Sequence, residues 1–181
     1  MRSFQAACLL LFASSCIAAT LTPQSGAPSS SSASAESILK APDITASNLF
    51  PDRVFYRGKT ATAQLRNTGG VHFADGFYFL AGLVDTSGYS TAVAEKYQAY
   101  LITEVPLEFG GQQLNPGAYG GGFVGGRFVV TDLGAHDLFQ VQATHDTEIK
   151  RPIPLQVLPE PAGGGYRLYR GRDFVTFHRA R

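Results

Sequence analysis

Tryptophan is missing from this chain, and cysteine occurs only as Cys8 and Cys16. A domain built downstream of residue 16 therefore holds no disulfide and no cysteine-ligated metal, and its stability rests on packing. Without tryptophan the usual ring for stacking on sugars is gone, leaving eight tyrosines and thirteen phenylalanines. Charge is sparse: Asp, Glu, Lys and Arg make up 16% of the residues and leave a net of +1. That excludes the strongly basic surface on which nucleic-acid binding depends. No apolar run approaches the ~20 residues of a transmembrane helix. The longest, Phe77 to Val84, has the length of a strand. Long helical periods, internal repeats and heptads are lacking too, so bundles, solenoids and coiled coils drop out.

The first residues read as a secretory signal over 1–19. Arg2 supplies the positive start, Ala6 to Ala13 the short apolar segment, and Ala18 or Ala19 the small residue at the cut. A rival reading is a lipoprotein signal acylated at Cys16, which the preceding Ser14-Ser15 suits. Residues 20–43 read as a disordered serine-rich tether, since Ser25 to Ala35 offers almost nothing to bury. The expected location is thus outside the cytoplasm: periplasm, outer surface or medium.

From residue 44 to 181 the pattern is that of one β domain. Ala61, Ala63 and Leu65 alternate with polar neighbours, as in a strand with one wet face. Asn67-Thr68-Gly69-Gly70 reads as a turn, Phe77 to Val84 as a central strand buried on both faces, and Thr91 to Tyr97 as the one helix-capable stretch. Gly110-Gly111 and Gly125-Gly126 sit between strand-like segments, as two-residue hairpin turns do, and Arg170-Gly171 separates Tyr166-Tyr169 from Phe174-His178. Short strands with this punctuation predict an all-β, antiparallel, Greek-key-like sandwich, with a β-barrel as the alternative.

Leu114-Asn115-Pro116-Gly117-Ala118-Tyr119 resembles the Leu-x-Pro-Gly-x-Tyr tyrosine corner of Greek-key sandwiches. There Gly117 would take the positive-φ place of a type II turn, and the Tyr119 hydroxyl would bond to backbone just upstream. Together with the segments Arg127 to Phe139, Arg151 to Val157 and Tyr166 to Phe177, this region resembles uncharacterised exported proteins of soil bacteria. That resemblance implies export and fold, and no activity.

Catalytic signatures fail one by one. Gly58-Lys59-Thr60 has Arg53 where a phosphate loop needs glycine, and a strand follows it. His-Glu-x-x-His and Gly-x-Ser-x-Gly are absent, and His72, His136, His145 and His178 are dispersed. No catalytic residue, metal ligand or cofactor is assigned. His136-Asp137 and His145-Asp146 read first as polar turns. The glycine-rich run Gly120 to Gly126 exposes backbone that a second strand or a ligand would approach.

These residues predict a non-enzymatic binding or structural module of the cell envelope, with an envelope protein or polysaccharide as partner. Two alternatives stand beside it. One is a binder of small ligands or carbohydrate in an inter-sheet cleft formed by Tyr119, Phe123, Gly121 and Gly122, with His136 and Asp137. The other is a hydrolase of unfamiliar design, in which His136 and Asp137 work with a carboxylate from another strand. Arg167, Arg170 and Arg172 form a candidate anion patch near the basic end.

Overall fold

A computed structural model describes residues 35–180. The signal at 1–19, Cys16 and the stretch to residue 34 lie outside the described residues. The run that is apolar on both faces lies at the centre of a sheet: Phe79 and Ala81 point into one core, Leu80 and Val84 into another, and all four are buried. Period-two geometry requires this, because successive side chains leave opposite faces.

In chain order the elements are β1 (Ser37–Lys40), α1 (Ala41–Ala46), β2 (Arg53–Tyr56), β3 (Lys59–His72), β4 (Tyr78–Val84), α2 (Thr91–Lys96) and β5 (Ala99–Thr103). There follow β6 (Leu107–Phe109), β7 (Gln112–Leu114), β8 (Gly117–Val124), β9 (Arg127–Thr131), β10 (Asp137–Gln142), β11 (Thr144–His145), β12 (Gln156–Pro159), β13 (Tyr166–Arg170) and β14 (Asp173–Arg179). An eight-stranded sheet runs β1-β3-β4-β5-β8-β9-β10 with β2 on β3, and a six-stranded sheet runs β12-β13-β14-β6-β7 with β11 on β14. Both are antiparallel and neither closes, so the fold is the expected sandwich and the barrel alternative is set aside.

The two sheets enclose Val71, Phe79, Leu101, Phe128 and Val130 from the larger and Leu107, Phe109, Leu168, Val175 and Phe177 from the smaller. A second core lies on the outer face of the larger sheet, where Ile44 of α1, Val54 and Tyr56 of β2, and Val93 of α2 cover Leu80 and Tyr100. Fully burying one such side chain contributes about 1.5–3 kcal/mol. Together the two cores stand in for the missing disulfides.

Strands β5 to β8 form one long hairpin folded across the sandwich. Ala99↔Gly121 to Thr103↔Gly117 lie in the larger sheet, and Leu107↔Leu114 to Phe109↔Gln112 in the smaller. The bend falls at Glu104, Val105 and Pro106 on one side and Asn115 and Pro116 on the other, between the two registers. The tyrosine corner holds this fold: Tyr119 Oη donates to the Asn115 carbonyl at 3.0 Å. Gly117 is needed for a different reason from the one expected. Its φ of 157° is far from a type II turn, but a Cβ there would come within 2.9 Å of Tyr119 Oη. Glycine lets the ring lie over the backbone.

Two expectations are corrected. Ordered chain begins before residue 44: Ser37–Lys40 pairs with Gly69–His72 of β3, and the Asp43 carboxylate accepts the Lys40 N–H at 3.0 Å. The last part of the supposed tether is thus an edge strand and a helix start. Asn67-Thr68-Gly69-Gly70 is no turn but lies inside β3. Asn67 donates to Gln64 Oε1 and Thr68 Oγ1 to the Leu65 carbonyl, both at 2.9 Å, around the register shift between Ala63 and Thr68. The two glycines let backbones approach. A Cβ on Gly69 would sit 3.1 Å from Val157 N in the other sheet, and one on Gly70 2.3 Å from the Phe79 carbonyl.

Candidate functional site

The cleft expected between the sheets beside Gly120–Gly126 is filled by the protein itself. Phe123 packs on Phe128 with ring centroids 4.9 Å apart, and Gly121 has Leu101 and Phe128 over it. On the outer face of the same strand, a Cβ on Gly120 would meet Thr131 Oγ1 at 2.6 Å and Tyr56 at 2.7 Å, and one on Gly122 the Lys96 carbonyl at 2.6 Å. Bare strand backbone here accommodates the end of α2 and the stacked rings of Tyr56 and Tyr97, 3.7 Å apart.

His136 and Asp137 are exposed at the β9–β10 turn and are directed to separate partners. His136 Nδ1 meets Asp132 Oδ2 at 2.9 Å, within the same turn, and Asp132 Oδ1 also accepts the Gly134 and His136 N–H groups. These bonds from His136 and Gly134 hold the Asp132 carboxyl below its ordinary range, against a smaller opposing effect of desolvation. Asp137 pairs with Lys96 at 2.7 Å. The turn is locally capped, and no carboxylate from another strand joins it. Among the described residues, no three His, Asp or Glu side chains gather as metal ligands.

Of the three arginines, Arg167 is neutralised. The Glu160 carboxylate clamps Arg167 at 2.7 and 2.8 Å, and the guanidinium lies 4.3 Å from the centre of the Phe174 ring. Arg172 donates to the Ile149 carbonyl at 2.8 Å. Arg170 stands exposed beside the same turn as Arg172.

A groove does run across one end of the sandwich, built from residues that the sequence did not bring together. One part, about 470 Å³, is lined by Glu36, Phe73, Glu160, Tyr166, His178 and Arg179, with Gly163 to Gly165 at the rim. The adjoining part, about 650 Å³, takes in Glu108 and Gln113 and shares Gly164 and His178 with the first. The parity of β14 sets this up: Phe177 is buried in the core, so His178 faces outward beside Glu108, at 3.6 Å. Next along, Arg179 pairs with Asp75 at 2.6 Å and lies 5.6 Å from the centre of the Phe73 ring.

Tyr166 forms the aromatic wall, edge-on to Phe73 at 6.2 Å and against Phe177 at 5.5 Å. Burial, and then the nearby Glu36 carboxylate, push its phenol well above the ordinary value. The Tyr166 phenol therefore stays protonated. Gly163 and Gly164, at φ of 81° and 79°, turn the rim, and the loop is closed by Gly163 N–H to Glu160 O at 2.8 Å. Among the described residues, no serine, threonine or cysteine lines either part. The groove presents carboxylates, an amide, an imidazole and a ring edge, which are acceptors and donors for a ligand rich in hydroxyls.

Comparison with protein families, curated proteins and solved structures finds no match. No helix among the described residues is long and apolar enough to cross a membrane.

Proposed function

We propose that this chain is an exported, non-enzymatic binding module of the cell envelope, and that its end groove receives a segment of polysaccharide. The observation that carries the reading is the composition of that groove. Glu36, Glu108 and Gln113 offer acceptors to sugar hydroxyls, His178 adds a donor, and the half-buried Tyr166 ring gives an apolar edge beside them. The failure of every catalytic signature sought in the sequence favours binding over turnover. The signal-like start and the resemblance to exported proteins of soil bacteria support the location.

Calorimetric titration of the purified protein with a panel of soluble envelope and capsular polysaccharides tests this. At least one should bind, and both Glu36→Gln and His178→Ala should weaken it by about tenfold, ~1.4 kcal/mol. Both side chains sit on the rim, so folding is kept. No binding across the panel, or binding that ignores both variants, would remove the proposal. Reproducible release of reducing ends that depends on the same residues would make the groove an active site instead.

A further inference from the structure

A second groove, sharing no lining residue with the first, runs where the edges of the two sheets meet. One part, about 400 Å³, lies between Leu39, Lys40, Arg66, Ile153, Gln156 and Leu158. A continuation of about 480 Å³ passes Pro42, Ala46 and Leu65 and shares Arg66. The lining is mostly hydrocarbon. Ile153 is 46% exposed at its mouth, one of four large apolar side chains open to water among the described residues.

The charged side chains in the lining are both cations, Lys40 and Arg66. Neither Lys40 nor Arg66 takes part in any ion pair among the described residues. The neighbouring acid, Asp43, accepts the Lys40 backbone N–H. Gln156 Nε2 is buried with no hydrogen-bond partner, an arrangement that costs free energy unless something accepts from it. An apolar trough with two unpaired cations and an unsatisfied amide donor is complementary to one kind of molecule: a single hydrocarbon chain with an anionic head.

We propose that this groove binds a free long-chain fatty acid. The carboxylate lies between Lys40 and Arg66 and accepts from Gln156, and the tail follows Leu39, Pro42 and Leu65. A membrane surface fits less well. The other exposed apolar side chains, Phe55, Phe77 and Leu138, are on separate elements, and the leucines here line a trough.

The test is calorimetric titration of the purified protein with dodecanoate below its micellar concentration, alongside dodecanol and dodecyltrimethylammonium. Dodecanoate should bind with one-to-one stoichiometry, and the uncharged and cationic chains at least about tenfold more weakly. The double variant Lys40→Gln with Arg66→Gln should lose about tenfold for dodecanoate alone, and Ile153→Ser should weaken all three. Both variants change exposed side chains, and an unchanged Tm confirms the fold. Equal binding of dodecanol and dodecanoate, or none of either, overturns the proposal. So does capture by anionic phospholipid vesicles without dodecanoate binding, which would mark a membrane-facing surface. Polysaccharide binding at the end groove is read separately and does not depend on this result.

Discussion

Removing the hydroxyl of Tyr97 should make the protein more stable, and removing that of Tyr56 less. The two rings are stacked 3.7 Å apart at 8°, both fully buried, so Phe in either place keeps the stack. Their hydroxyls differ. Tyr56 Oη shares a 2.7 Å hydrogen bond with Thr131 Oγ1, itself 0% exposed. Tyr97 Oη is buried with no hydrogen-bond partner. A buried polar group without a partner costs about 1–3 kcal/mol, while a satisfied one contributes ~1 kcal/mol. Tyr97→Phe recovers the first quantity less a small cavity cost, so about 1–2 kcal/mol of stabilisation is expected. Tyr56→Phe loses the bond and strands Thr131, for a loss of about 1–3 kcal/mol. In a chain of this length 1 kcal/mol moves Tm by roughly 2–4 °C. Urea unfolding followed by circular dichroism gives both values from midpoints at constant slope. If Tyr97→Phe lowers the midpoint as Tyr56→Phe does, the Tyr97 hydroxyl is bonded in solution and the reasoning fails.

The same burial predicts alkaline instability. Desolvation raises the phenols of Tyr56, Tyr89, Tyr97 and Tyr100 above the ordinary value. The folded state thus holds protons that the unfolded chain releases, and stability is full below pH ~10 and falls above it. Tyrosine absorbance should then rise together with unfolding; gradual ionisation of a folded protein would contradict this. Acid should act through Glu160 and Asp146, whose carboxyls are held low by the bond from Arg167 and the bond from Tyr169, respectively. That contribution is complete above the ordinary carboxylate range and is lost as pH falls through the folded values. Urea midpoints should drop between pH 6 and 3 (roughly this range), less steeply in Glu160→Gln, and parallel profiles would refute the assignment. Gly122→Ala should cost about 2 kcal/mol or more, because its Cβ would lie 2.6 and 2.8 Å from the Lys96 and Glu95 carbonyls. Gly88→Ala, where a Cβ meets nothing within 4 Å, is the control and should leave Tm nearly unchanged.

Much of the fold was legible because its signals are local. Alternation at Ala61 to Leu65 and the doubly apolar Phe77 to Val84 follow directly from strand geometry, although the strand starts at Tyr78 and Phe77 is exposed. Gly110-Gly111 and Gly125-Gly126 have the positive φ values that two-residue hairpins need, and each occupies its predicted turn. The helix over Thr91–Lys96 stands where it was expected. Elements held only by distant partners were not legible. Ser37–Lys40 has no alternation and becomes a strand because β3 offers it an edge. Gly69-Gly70 has the composition of a turn, but the pair serves close approach, which a single sequence does not distinguish from reversal.

The sites were hidden for a related reason. Glycine in a strand announces that something lies close to the backbone, not what it is. At Gly120 and Gly122 the occupants are Tyr56, Tyr97 and the carbonyls ending α2, so the most conspicuous run in the sequence belongs to the core. The end groove draws instead on Glu36, Phe73, Glu108, Tyr166 and His178, from five separate segments, each an ordinary surface or boundary residue by itself. What joins them is register. Phe177 opposite Phe109 places His178 opposite Glu108, and Tyr166 opposite Phe177 brings the Gly163 to Gly165 rim alongside. A one-residue slip of β14 would turn Phe177 outward and His178 into the core. The packing that fixes the sandwich therefore fixes the groove as well, and the groove should persist under any substitution that leaves that register intact.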